Sequence, residues 1–306
     1  MKSATVKAYG KINITLNVTG VNGGYHNLDS VVITVDKFDK VTVTKRKDDK
    51  VLLNLTGKYG DFPFIQEKYN AYKTAVKFKE KYQTTGVTVT VERNIPEGSG
   101  MGGSSADIAG VLKAMQKLFN VTDSVKDIAD ELGSDSGYLL EGGFARLTSR
   151  GEVIEKISSD WMPYFVVIYA KTGVNTADCF KTFDNGNYNG IIADNDAVVT
   201  AIIERNLSNM KGKTGNALTN PAITLNSEVA ENLKELLSLS PVVADMTGSG
   251  STVFAMYDSY EMASWALSKL KRKYGSRAEL LYTYNPLYKP FIKGFLERFT
   301  ITETDK

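Results

Sequence analysis

The chain of 306 residues holds a single histidine, His26, and a single cysteine, Cys179. One cysteine excludes an internal disulfide and a dithiol redox pair, and the clustered Cys and His of structural zinc sites are missing as well. Imidazole chemistry would have to run through His26 alone. The lack of cysteine pairs fits a reducing compartment, so a cytoplasmic protein is expected. Charge of one sign is also missing: 37 Lys and Arg face 35 Asp and Glu, with no dense basic block. A net charge of +2 offers no broad field to nucleic acid, and no nucleic-acid partner is expected. Long hydrophobic runs are absent too. The longest, residues 164–170 (YFVVIYA), is far too short to span a bilayer. The opening MKSATVKAYGKINITLNV lacks the apolar core and small-residue cleavage site of a signal peptide. No membrane partner is expected.

What is present is globular: 42% hydrophobic and 24% charged residues, in a length that implies one large or two moderate domains. The N-terminal third reads as β, with residues 5–18, 31–35, 40–45 and 51–55 rich in Val, Ile and Thr. An Asn22-Gly23-Gly24 turn separates the first two runs. Over residues 67–82 the period changes to that of an amphipathic helix through Tyr69, Tyr72, Ala75, Val76 and Phe78. A strand follows at 86–92. Further on, residues 161–170 and 279–284 read as strands, and 198–207, 228–237 and 262–274 as helices. Residues 242–257 read as strand, glycine turn, strand, and the tail from about 286 has no assignment. Cys179 reads as a small buried hydrophobe.

The segment 94–110, NIPEGSGMGGSSADIAG, is the most informative. Four glycines (Gly98, Gly100, Gly102, Gly103) and three serines (Ser99, Ser104, Ser105) lie between a strand and a helix. Glycines let backbone N–H groups approach an anion closely, and the helix N-terminus adds its dipole. Ser104 or Ser105 could offer a hydroxyl to phosphate or to Mg²⁺. No Lys-Ser/Thr follows the last glycine, so this is not a Walker A loop, nor is it the dinucleotide fingerprint. Phosphate binding is the expectation; the plainer alternative is a flexible turn with a serine cap.

From Pro96 through Ser104-Ser105-Ala106, this loop resembles the nucleotide-phosphate loop of the GHMP kinases. Ala8-Tyr9-Gly10-Lys11-Ile12-Asn13 resembles that family's N-terminal substrate motif. Asp245-Met246-Thr247-Gly248-Ser249-Gly250-Ser251 resembles its C-terminal glycine motif. Within the family, three segments resemble the branch acting on 4-diphosphocytidyl-2-C-methyl-D-erythritol: Gly24-Tyr25-His26-Asn27-Leu28, Leu132-Gly133-Ser134-Asp135 and Val174-Asn175-Thr176-Ala177. The chain departs from that branch at Ser136-Gly137, where Val-Pro is usual, at Tyr9, at Met101, and in having one glycine fewer before Ser104.

The resemblance implies an α+β, two-domain GHMP kinase fold with the active site in the interdomain cleft. The expected domains are 1–155, carrying the 94–110 loop, and 156–306, with the unassigned tail. It implies ATP- and Mg²⁺-dependent phosphorylation of a small-molecule alcohol, the 2-hydroxyl of the cytidine-diphosphate conjugate, in non-mevalonate isoprenoid synthesis. Asp135 would be the base and Lys11 its ammonium partner, which also polarises the acceptor oxygen; Lys7 is a competitor. Pro96, Gly98, Gly100, Gly102, Gly103, Ser104 and Ser105 would hold ATP phosphates, with Asn70 near adenine. Asn13 would orient the acceptor, and Gly248, Ser249 and Gly250 would close on it. Tyr25 would stack on cytosine while His26 bonds its edge, and Phe180 would face the base from the other side or pack in the core. Two other readings stay open: a GHMP kinase for homoserine, mevalonate or phosphomevalonate, or a lapsed homologue that only binds nucleotide. Monomer and homodimer are equally open.

Overall fold

The computed structural model describes residues 1–286. Seven strands form the first sheet: β1 (Ser3–Asn13), β2 (Asn17–Asn22), β3 (Tyr25–Lys45), β4 (Val51–Thr56), β5 (Val87–Glu92), β6 (Ala145–Ser149) and β7 (Val153–Lys156). The spine is β3, which pairs antiparallel with β1, β2, β5 and β6 along its 21 residues. The runs at 31–35 and 40–45, expected as separate strands, are both part of it. Strict alternation explains the face: Val87, Val89 and Val91 of β5 are fully buried while the intervening threonines are not. Each such valine contributes about 2 kcal/mol.

Onto that face pack α1 (Asn70–Tyr82), α2 (Gly103–Phe119) and α4 (Ser136–Glu141), with α3 (Lys126–Leu132) lying against these three helices. Helix α2 lies close against β1 and β3 because Gly110 has no side chain; a Cβ there would sit 2.8 Å from Val41 and 2.9 Å from Ala8. The first turn of α2 is thereby fixed relative to β1.

The second sheet has four antiparallel strands in the order β11 (Ala278–Tyr282), β8 (Tyr164–Ile168), β10 (Val253–Tyr257), β9 (Val243–Met246). Helices α5 (Thr176–Asn185), α6 (Asn195–Glu204), α7 (Thr219–Leu225), α8 (Glu228–Leu237) and α9 (Tyr260–Tyr274) complete this half. Its central strands are apolar on both faces for a reason. Phe165, Val167, Phe254 and Met256 close the core under the first sheet, while Val166, Ile168, Val253 and Ala255 belong to a second core with α8 and α9. We therefore propose the division near residue 155 as one between sheets and not between cores. Two seams join the halves: Tyr284 N–H donates to Thr34 O (2.8 Å), and Ala217 N–H donates to Leu16 O (2.9 Å).

Helices α4, α5 and α7 had no counterpart among the expected elements. The tail without assignment, apart from its start at Pro286, lies outside the described residues. Among the described residues no helix is long and apolar enough to cross a membrane.

Candidate active site

The site begins at a bulge in β1. Register slips between Tyr9 and Lys11, and Gly10 lets the glycine loop press against the strand: its absent Cβ would lie 3.2 Å from Met101 O. Lys11 N–H donates to Met101 O at 3.0 Å. Residues two apart on a strand share a face, so Lys11 and Asn13 both point into the space beside that loop. The Lys11 ammonium is buried, donates to Gly100 O at 2.9 Å and to Asn13 Oδ1, and sits 3.5 Å from Asp135 Oδ2. Asn13 is itself fixed: its Nδ2 donates to Ser30 Oγ at 2.7 Å and its N–H to Thr247 Oγ1 at 2.9 Å. Lys7, the competitor, lies over the Phe38 ring with Nζ 4.7 Å from its centroid, away from this space.

The two glycine segments interlock. Gly98, Gly100 and Gly102 all have φ between 61° and 74°, which glycine alone adopts without strain. Ser251 N–H donates to Gly98 O (2.9 Å) and Thr252 N–H to Ser99 O (3.2 Å). A Cβ on Gly100 would fall 2.0 Å from Thr247 O. Asn216 holds the second segment from behind, its Nδ2 donating to Met246 O and Gly248 O, both at 2.8 Å. Gly102 is the uncapped N-cap of α2, and a Cβ on it would meet Lys11 Cε at 3.3 Å and Asp135 Oδ2 at 3.5 Å. The next three residues, Gly103, Ser104 and Ser105, open the helix, where N–H groups have no intrahelical acceptors and favour an anion.

Asp135 is the N-cap residue of α4, without using its side chain as a cap, so the carboxylate is left for the cavity. Ser136 and Gly137, where the chain departs from Val-Pro, form the first turn of that helix. The strand into the loop is anchored by buried Asp39, which accepts Asn94 N–H at 2.5 Å and Ile95 N–H at 2.8 Å. Burial pushes the carboxyl of neighbouring Asp107 well above its usual value, and repulsion from Asp39 adds to this. Burial likewise pushes the Cys179 thiol up to about 12, consistent with a packing role.

A cavity of about 610 Å³ lies where the loops of the two halves meet. Its walls include Lys11, Asn13, Tyr25, His26, Asp135, Phe180, Gly248, Ser249 and the loop residues Pro96, Gly98, Gly100, Gly102, Gly103, Ser104 and Ser105. Asn70 lines a neighbouring cavity of about 480 Å³, with Tyr69 and Phe64, and donates to Ser104 Oγ at 3.0 Å. Gly250 lies outside both linings; it is a positive-φ position (86°) packed on Met246.

At the aromatic end Phe180 stacks directly on His26 (centroids 4.5 Å apart, 23° between planes). His26 Nε2 is 2.7 Å from Asp184 Oδ1. Tyr25 is 55% exposed, and the Arg150 guanidinium lies 3.8 Å over its ring. Sequence reasoning passed over Arg150, Asn216, Asp184 and Ser30. Only Arg150, next to the glycine of a strand turn, carried any signal, and a weak one.

The chain matches the models of the GHMP kinases N terminal domain over residues 70–145 and the GHMP kinases C terminal domain over residues 199–276. It is 32% identical over 280 residues to 4-diphosphocytidyl-2-C-methyl-D-erythritol kinase of Clostridium beijerinckii, covering 88% of this chain and 96% of that one. It is also 32% identical over 275 residues to the enzyme of that name from Clostridium perfringens, covering 88% and 94%. A crystal structure of 4-(cytidine 5'-diphospho)-2C-methyl-D-erythritol kinase superposes with a TM-score of 0.73 at 26% identity, covering 91% of this chain and 98% of that one. Homoserine kinase of Cytophaga hutchinsonii shares the fold, with a TM-score of 0.71 at 18% identity over 93% and 95% of the two chains. Both halves of the fold and the ordered motifs within them place this chain in the GHMP kinase family.

Proposed function

We propose that the protein transfers the γ-phosphoryl group of ATP to the 2-hydroxyl of 4-diphosphocytidyl-2-C-methyl-D-erythritol, a step of non-mevalonate isoprenoid precursor synthesis in the cytoplasm. The observation that carries this reading is the Lys11–Asp135 pair, 3.5 Å apart below the glycine loop, in a cavity that continues to Tyr25 and His26. Phosphoryl transfer asks a protein mainly for positioning and charge stabilisation. Asp135 would accept the proton of the acceptor hydroxyl, and Lys11 would hold that oxygen and offset the charge developing on it. Asn13, kept rigid by Ser30 and Thr247, would orient the same hydroxyl.

ATP fits the loop on two counts: the positive-φ glycines wrap the backbone tightly around the helix entrance, and that entrance is uncapped. The N–H groups of Gly103, Ser104 and Ser105 would bind its phosphates, and the cavity beside Asn70 would take its base. Among the described residues no three His, Cys, Asp or Glu side chains cluster to hold an ion. Mg²⁺ keeps several waters and rides chiefly on substrate phosphates, so it needs no such cluster. Ser104 or Ser105 would hold it at the loop, and when bound it neutralises phosphate charge. Gly248 and Ser249 would close over the acceptor, with Ser249 held by Thr176 at 2.8 Å.

An ADP-release assay across the cytidine-diphosphate substrate, mevalonate, phosphomevalonate and homoserine tests this. Turnover with the first is expected. Turnover with another acceptor and none with the first would overturn the substrate assignment, and ATP binding without any turnover would mark a lapsed kinase.

A further inference from the structure

We propose that Arg150 binds the diphosphate of the acceptor substrate, bridging the base-reading end of the cavity and the reacting end. This rests on the reading above.

The turn between β6 and β7 holds Arg150 in place. Glu152 clamps it, accepting Ser149 Oγ–H and Arg150 N–H, both at 2.8 Å, and Gly151 N–H closes it on Thr148 O at 3.1 Å. The same turn packs on the Ser134-Asp135 segment: a Cβ at Gly151 would lie 3.4 Å from Ser134 O and 3.6 Å from Asp135 Oδ1. Arg150 therefore springs from beside the proposed base and reaches over Tyr25, with its guanidinium 3.8 Å from the ring centroid. The two ends of its reach are the two ends of the proposed substrate.

Three arginine or lysine side chains line this cavity: Lys11, Arg93 and Arg150. Lys11 is committed to Gly100 O, Asn13 and Asp135, and Arg93 lies by Glu97, 3.7 Å away. Among the described residues no carboxylate lies within ion-pair distance of the Arg150 guanidinium, which lines the cavity over the Tyr25 ring. Stacking of this kind pre-orients an arginine without using its donors, and the planar fork suits paired phosphate oxygens. A base reader and a hydroxyl activator separated by an unpaired, oriented guanidinium match a nucleoside diphosphate linked to an alcohol. They do not match homoserine or a mevalonate-type acid, which has no base for Tyr25 to stack on.

The test compares cytidine with CDP as ligands of the wild-type protein and of Arg150→Gln, by calorimetry with a non-hydrolysable ATP analogue saturating the glycine loop. The proposal expects CDP affinity to fall about tenfold in the variant while cytidine affinity stays within about twofold. Equal losses for both ligands would mean that the arginine only supports the Tyr25 ring, and no loss for CDP would mean it does not reach the phosphates; either overturns the proposal. Turnover of the full substrate by the wild type, measured alongside, separates the two failures. An active wild type with an unchanged CDP-to-cytidine ratio sinks the Arg150 assignment alone, and a wild type that neither turns over the substrate nor binds CDP sinks both.

Discussion

A buried lysine whose ammonium touches a main-chain carbonyl, an amide oxygen and a carboxylate is held in one place. Removing either partner of the Lys11–Asp135 pair should therefore act on the chemical step. Asp135→Asn is expected to lower kcat by roughly 10²-fold or more with ATP affinity retained, measured by single-turnover quench and nucleotide titration. An unchanged rate would remove Asp135 from the base role. At the other end of the cavity, Tyr25→Ala should raise KM for the cytidine substrate about tenfold, the loss of one stacked base. An unchanged KM would argue against stacking. Lys11 and Asp135 were legible in the sequence because their motifs occur in family order. The scaffold around them was not: Asn13 is fixed by Thr247, 234 positions away, and no local pattern announces such a contact.

Among the elements, the interlocked glycine segments are the most sensitive joint. Gly100→Ala would place a Cβ 2.0 Å from Thr247 O at a φ of 74°, so the segments must part. Loss of at least about 2 kcal/mol of stability is expected, together with loss of ATP binding, checked by urea unfolding and nucleotide titration. Strand β9 carries a second prediction. Burial raises the Asp245 carboxyl from 3.8 to about 6, opposed by bonds from Thr219 and Met246 N–H. A raised carboxylate binds more protons folded than unfolded, so stability from this group falls as pH rises from about 4 to 6 and the penalty is complete above that. Asp245→Asn should thus be more stable than wild type at pH 7, by at most about 3 kcal/mol, and equal to it near pH 4. A pH-independent difference in urea midpoints would contradict this. Long periodic elements such as α1, α2 and β5 were legible for a physical reason: one face is buried and the other wet. Helices α4, α5 and α7, with 6, 10 and 7 residues, are held by tertiary contacts and were missed. Strand β8 reads as one apolar run because each of its faces closes a different core.

At the scale of the molecule, the two sheets share a core, with Trp161, Phe165 and Phe254 packed in the cluster that contains Val41 and Val89. Leu16 and Val18, from the first sheet's side, sit in the other. Heat should accordingly unfold residues 1–286 in one calorimetric transition, and two well-separated transitions would refute the shared core. Composition alone could not announce this, since nothing in the sequence changes near residue 155. The same continuity sets the cavity walls from both halves, so that the proposed base reader, hydroxyl activator and phosphate loop hold fixed spacings. The most direct test of that arrangement is phosphorus NMR of the reaction of the protein with MgATP and 4-diphosphocytidyl-2-C-methyl-D-erythritol. The account predicts ADP and one new phosphomonoester signal, coupled to the 2-position of the erythritol with the diphosphate intact. No new monoester from this substrate, with phosphorylation of homoserine or mevalonate under the same conditions, would contradict it.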